Sequence, residues 1–253
     1  MKSFATRSLL FLVLAKLLLL SSAAQQTLPS SPSASEQAQP ADKGQNTQDP
    51  KTSDKNQGTS NDRLFYALPN FLTLENAGQV PPLTVGQKFK VVTRGSFDFV
   101  EIPWYASLSG ISQAENSEPG YGQGAQGYGK RFGAAFADGT IENYMTGAVL
   151  PSLLRQDPRF FQSSQGGFWH RTGYAISRIF VTRTDSGHQQ FNYSEIVGSG
   201  IAATISTYSY HPGADRTLPN TASVWGTQVG YDTITIVVKE FWPDIRRKLS
   251  KKK

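Results

Sequence analysis

The chain has 253 residues, 38% of them hydrophobic, 11% aromatic and 17% charged, with no cysteine and a formal net charge of +6. That is enough apolar material for one buried core, and the missing cysteines exclude disulfide frameworks, thiolate metal sites, a cysteine nucleophile and a lipid-anchored N-terminus. The charge is local: Arg246, Arg247, Lys248, Lys251, Lys252 and Lys253 account for it, leaving residues 63–245 at about −1, so no nucleic-acid-binding face is indicated.

In chain order, residues 1–24 read as a signal peptide. A basic start is followed by an apolar stretch interrupted by Lys16, and Ser22 and Ala24 place the cut before Gln25. The apolar runs on either side of Lys16 are too short to span the ~30 Å of a bilayer core. Residues 25–62 are almost wholly polar with Leu28 as their one large apolar side chain, the composition of a disordered linker. Residues 63–245 form the folding domain and 246–253 a basic tail. The tail is either a solvated end or a contact for anionic lipid headgroups.

Within the domain, Thr84 is the N-cap of a helix through Phe89, Val91 and Val92, and Ser96 caps a second with Phe97, Val100, Trp104 and Leu108 at helical spacing. Residues 120–129 read as a glycine-rich loop, then 130–154 as a long helix kinked at Pro151. A fourth helix spans 169–182. Asn192 and Glu195 form a capping box for a fifth that reaches Tyr208, and a last one covers 217–242 with Pro243 beyond its end. Residues 176–184 and 233–238 are rich in β-branched side chains, but strand signals are otherwise weak. The expected fold is mainly α: a single helical bundle after a disordered N-terminal linker.

Small residues recur every four positions at Gly129, Gly133 and Ala137, at Ser194, Gly198, Ala202 and Ser206, and at Ala222, Gly226 and Gly230. Each set occupies one helix face, which predicts closely packed small-residue faces in a soluble bundle or in one seated against a bilayer.

Few motifs carry chemistry. Gly124 to Lys130 matches a phosphate-loop pattern, but Arg131 stands where the magnesium-holding Ser or Thr belongs, and the preceding SQAENSEP is nothing like a buried strand. Asp138 and Glu142 share a helix face and suit either surface and capping roles or acid–base and divalent-ion chemistry. The segment 155–183 is the richest, with five arginines, His170 and Asp157. From it Arg155, Arg159, His170, Arg171 and Arg178 form a candidate anion-binding set, because guanidinium forks match phosphate and carboxylate. The alternative is internal bridging to Asp157 plus a solvated face. Ser177-Arg178 and Ser186-Gly187-His188 occur in the wrong order for a lipid-phosphate phosphatase, and no GxSxG or HExxH is present. No cofactor or metal is indicated.

Asn61-Asp62-Arg63-Leu64-Phe65, Val80-Pro81-Pro82-Leu83-Thr84, Asp157-Pro158-Arg159-Phe160-Phe161, Phe180 to Gly187 and Glu240-Phe241-Trp242-Pro243-Asp244-Ile245 together resemble the landmarks of a family of uncharacterised exported envelope proteins, chiefly of acidobacteria. The resemblance implies a Gram-negative envelope setting, periplasmic or outer-membrane-associated, and no particular activity. The function expected is a non-enzymatic exported envelope protein that contacts a membrane surface or another envelope protein, or its own copy. The rival is an envelope hydrolase or anion and lipid-headgroup binder using the 155–183 cluster.

Overall fold

The computed structural model describes residues 59–65, 67–75 and 80–250, so the signal segment and all but four of the linker residues lie outside it. The described part is mainly helical. Two short strands, β1 (Arg63–Leu64) and β2 (Leu68–Pro69), pair antiparallel, and β3 (Thr73–Leu74) runs parallel to the later β5 (Phe160–Phe161). Helix α1 (Val85–Ser96) starts as expected at Thr84: its hydroxyl accepts from the Gln87 amide while the Gln87 side chain accepts from the Thr84 amide.

Helix α2 (Glu101–Glu115) begins at Val100 without a side-chain cap. The predicted cap, Ser96, is instead the last residue of α1 and is buried. Helix α3 (Gly124–Tyr144) reaches back into the segment expected to be a loop. Its first turns are held by Arg131, whose buried guanidinium donates to the carbonyls of Gly122 (2.6 Å) and Glu118 (2.8 Å). The close approach there is at Gly127, where a Cβ would collide with the Gly122 carbonyl.

The kink predicted at Pro151 is a π turn over Met145–Val149 followed by the short helix α4 (Leu150–Leu153). Widening the turn ahead of the proline accommodates a ring that has no N–H to offer. Next come β4 (Gln156–Asp157), β5, helix α5 (Phe168–Phe180), and β6 (Val181–Thr184), which sits between β4 and β7 (Gln189–Phe191) in an antiparallel sheet. The β-branched run at 181–184 is thus a strand, and α5 ends two residues earlier than predicted. Helix α6 (Tyr193–Ser209) is capped by the Asn192 side chain accepting from the Glu195 amide.

Helix α7 (Leu218–Ser250) passes straight through Pro243 instead of stopping before it. A proline at that position leaves the carbonyl of Lys239 without its helical donor. Gln162 Nε2 fills that role at 2.5 Å, and Arg171 takes the next carbonyl, Glu240, also at 2.5 Å. The helix therefore absorbs the start of the basic tail: Arg246 is bound to Asp62 (3.2 Å) and Glu75 (3.1 Å), so both boundaries of the folded unit lie outside 63–245.

Helices α2 with α3, α3 with α6, and α5 and α6 with α7 make up the bundle. Of the three small-residue faces, only that of α6 is an interface. Ser194, Gly198, Ala202 and Ser206 are buried, and a Cβ on Gly198 would meet Leu150 and the Met145 carbonyl at 3.3 Å. The other two are open: nothing lies within 4 Å of a Cβ built on Gly129, Gly133, Gly226 or Gly230. Phe71, Val91, Val92 and Ala148 form the apolar core cluster, and much of the remaining interior is polar.

Candidate functional site

Three ionic assemblies occupy the interior. In the first, Arg171 on α5 is buried against α7, with Nε 2.8 Å from Glu240 and Nη1 2.5 Å from Asp244. Glu240 itself is fully buried and also accepts from the amides of Ser163 and Ser164 at 3.0 Å each. This clamp fixes the loop before α5 onto α7. Its hydrogen bonds with Arg171 and Arg247 hold the Asp244 carboxyl below the usual range, outweighing its partial burial.

The second assembly is the environment of Asp138, which is neither a surface nor a capping residue. His211 Nδ1 lies 2.8 Å from Glu118 and its Nε2 3.2 Å from Asp138, which also accepts hydrogen bonds from Tyr210 (2.5 Å) and Ser206. Burial disfavours the imidazolium, but hydrogen bonds to the two carboxylates prevail and raise its pKa to about 10. Both ring nitrogens then donate, so the histidine has no lone pair with which to activate Ser206, and Ser206 faces the acid instead of the imidazole. Serine, histidine and aspartate are together here, yet the geometry is that of a pin joining α3 to the end of α6.

Glu142, one turn on from Asp138, belongs to a cluster of acids with Glu195 on α6 and Asp232 on α7. Burial first, then the charges of Asp232 and Asp138, push Glu142 up to about 9. Burial and Asp232 likewise raise Glu195 far above its ordinary value. An oxygen of each glutamate is buried with no hydrogen-bond partner. Among the described residues no group of His, Asp and Glu is disposed to hold a metal ion.

The third assembly is a cavity of about 150 Å³ between β4, β5, α5, β6 and the start of α6, with Glu195, Asp232 and Lys239 also in its wall. Its rim is built stepwise. Gln156, fully buried, donates to the Phe191 carbonyl (2.7 Å) and accepts from the Ser194 amide and hydroxyl, tying β4 to the start of α6. Lys88, also fully buried, reaches across to the carbonyls of Pro151 and Gln156 and to the Asp185 carboxylate at 2.8 Å. Arg159 closes a fork on Asp157 at 2.6–2.8 Å and donates to the Pro81 carbonyl. Arg183 places its guanidinium 4.3 Å from the Phe161 ring centroid, and Arg178 lies 4.9 Å from that of Tyr174. The Tyr174 hydroxyl donates to the Phe161 carbonyl at 2.7 Å, joining the two aromatic supports.

The predicted anion-binding set is therefore divided. Arg159 and Arg178 line the cavity, Arg159 already bound to Asp157. Arg171 belongs to the clamp on α7. Arg155 and His170 are exposed and outside the cavity lining. Arg183, outside the predicted set, also lines the cavity: alternation along β6 places it opposite Thr182 and Thr184, and Asp157 on β4 is its register partner.

Among the described residues no helix is long and apolar enough to cross a membrane. Searches with the sequence and the structure found no matching family model, no matching curated protein and no matching solved structure.

Proposed function

We propose that this chain is a non-enzymatic protein of a Gram-negative cell envelope, exported by its N-terminal segment, whose helical domain rests on an anionic membrane surface. The observation that carries this reading is an aromatic and basic corner where α5 begins and α7 ends. Trp169 is 82% exposed and Phe168 59%. Their rings lie 5.1 Å apart, and Phe168 stacks on Phe241 at 5.1 Å. Arg171 lies 4.5 Å from the Phe241 ring centroid and binds Asp244, which also binds Arg247. The described bases Arg247 and Lys248 stand on the last turns of α7, beyond the Phe241 ring on which the exposed aromatic pair stacks.

The energetics favour such a corner. Each base near an anionic leaflet contributes about 1 kcal/mol, and the aromatic pair adds roughly 25 cal/mol for each Å² it buries. The two contributions add, so aromatic burial and basic charge together bind an anionic surface more strongly than either alone. Helix α6 offers further apolar surface. Val197, Ile201 and Ile205 point outward at four-residue spacing while small and polar residues fill its inner face, the inverse of an ordinary soluble helix.

The test is co-sedimentation of the full chain with phosphatidylcholine vesicles with and without phosphatidylglycerol. Binding should require the anionic lipid, weaken as salt rises, and fall at least tenfold in Trp169→Ser and in a variant with Arg247, Lys248 and Lys251 changed to Gln. Equal binding to both vesicle types, or none to either, would overturn the reading. A concentration-dependent dimer that loses Trp169 exposure would assign this corner to a second copy of the chain instead.

A further inference from the structure

The cavity beside α5 contains an imbalance of charge that its own residues do not resolve. Arg159, Arg178, Arg183 and Lys239 line it, against Asp157, Glu195 and Asp232. Asp157 is taken by Arg159, and Glu195 shares a hydrogen bond with Asp232. Arg178 and Arg183 have no carboxylate partner among the described residues. Among the described residues the one side-chain hydrogen bond that either guanidinium makes is from Arg178 Nε to Ser177 Oγ, at 3.3 Å. Both are half-buried. Stacking on Tyr174 and Phe161 covers a guanidinium face and leaves the N–H edges, the part of the group that forks onto an oxyanion.

From this geometry we infer that the cavity is a binding site for a phosphate group, with Arg178 and Arg183 as its two guanidinium ligands. Two unanswered cations call for a dianion, and a phosphate monoester carries about −1.5 to −2 at neutral pH, where a single carboxylate supplies −1. A volume of about 150 Å³ far exceeds the ~10–15 Å³ needed to admit one water, so a tetrahedral oxyanion fits with part of its ester or hydration. The site is rigid on both sides. Arg178 is on α5, and its carbonyl accepts from the Asn192 side chain at 3.2 Å; Arg183 is on the central strand of the β4–β6–β7 sheet. The same chemistry is present in a free phosphate and in the headgroup of a phosphatidic acid. This inference does not depend on the membrane contact proposed above, which uses other residues.

The experiment is a titration of the full chain with inorganic phosphate at constant ionic strength, followed by calorimetry and thermal melts, with acetate and chloride as controls. Phosphate should raise the melting temperature by several degrees, because it binds only the folded state. Arg178→Gln and Arg183→Gln should each weaken binding at least tenfold and together abolish it. Arg155→Gln, outside the cavity, should leave binding unchanged. Without phosphate the Gln variants should melt at or above the parent temperature, since like charges have been removed. If either fails to fold, Arg178→Lys and Arg183→Lys pose the same question by retaining charge and removing the fork.

A parallel arm uses short-chain phosphatidic acid. Arginine-dependent binding of inorganic phosphate supports a free phosphate, and arginine-dependent binding of the lipid alone supports a headgroup. Phosphate binding that survives in the double variant, an equal response to acetate, or no response to either phosphate source would overturn the proposal.

Discussion

Two groups of acids share the interior of one bundle and have opposite fates. At the Arg171 clamp and the His211 pin, every carboxylate meets a cation: Glu240 and Asp244 meet Arg171, and Glu118 and Asp138 meet His211. Glu142, one turn from Asp138 on α3, instead lies among the acids Glu195 on α6 and Asp232 on α7, and burial raises both glutamates. The difference teaches that burial alone does not decide ionisation here. A fixed cation within hydrogen-bond reach makes a buried carboxylate a structural pin, and a neighbouring carboxylate makes it a neutral acid.

The largest effect should come from breaking the paired group. Arg171→Ala leaves Glu240 fully buried and uncompensated, and losing one partner of a buried pair costs about 3–5 kcal/mol. At about 2–4 °C per kcal/mol for a domain of this size, thermal melts should drop by roughly 10 °C. Glu142→Gln, in the acid cluster, should change stability by less than about 1 kcal/mol near pH 7, because it replaces an acid that is already neutral. A large loss there would show Glu142 to be ionised and paired.

Dependence on pH sharpens the contrast. Glu142 titrates near 4.5 when unfolded and near 9 when folded, so between those values the folded state holds the extra proton and stability falls as pH rises. His211, near 6.5 unfolded and about 10 folded, contributes fully below 6.5 and loses that contribution as pH climbs through 10. Both act in the same direction, so the melting temperature should decline from about pH 5 to pH 9. The decline should be shallower in Glu142→Gln. On the acid side Asp244 acts oppositely: its lowered value makes the Arg171 contact a source of stability lost below about pH 4. A melting temperature that rises between pH 5 and 9 would contradict both assignments.

The smallest effects separate the small-residue faces. Gly198→Leu intrudes on Leu150 and the Met145 carbonyl and should cost about 1–3 kcal/mol. Gly226→Leu meets nothing and should stabilise α7 by several tenths, since glycine is a poor helix former. Melts of the two variants should therefore move in opposite directions. A fall for Gly226→Leu that depends on protein concentration would mean that the open face is covered by a second copy.

Local signals in the sequence carried the helices. Thr84 and Asn192 cap α1 and α6 because an oxygen at an N-terminus satisfies orphan amides whatever the rest of the chain does. Helical class, the α6 face and the arginine-rich segment were legible for the same reason: composition and spacing suffice. Tertiary structure decided the rest. Pro243 does not end α7 because Gln162, 77 residues from Lys239 in the chain, supplies the donor that the Lys239 carbonyl lacks. Gly124 to Gly129 is helical because the Arg131 guanidinium folds back onto the carbonyls that precede it. Arg171 and Arg178, seven apart on one helix, take different roles because Glu240 lies beside the first and, among the described residues, no carboxylate pairs with the second. A side chain's type is written in the sequence, but its charge state and its partner depend on what packs against it, and those contacts join residues far apart in the chain.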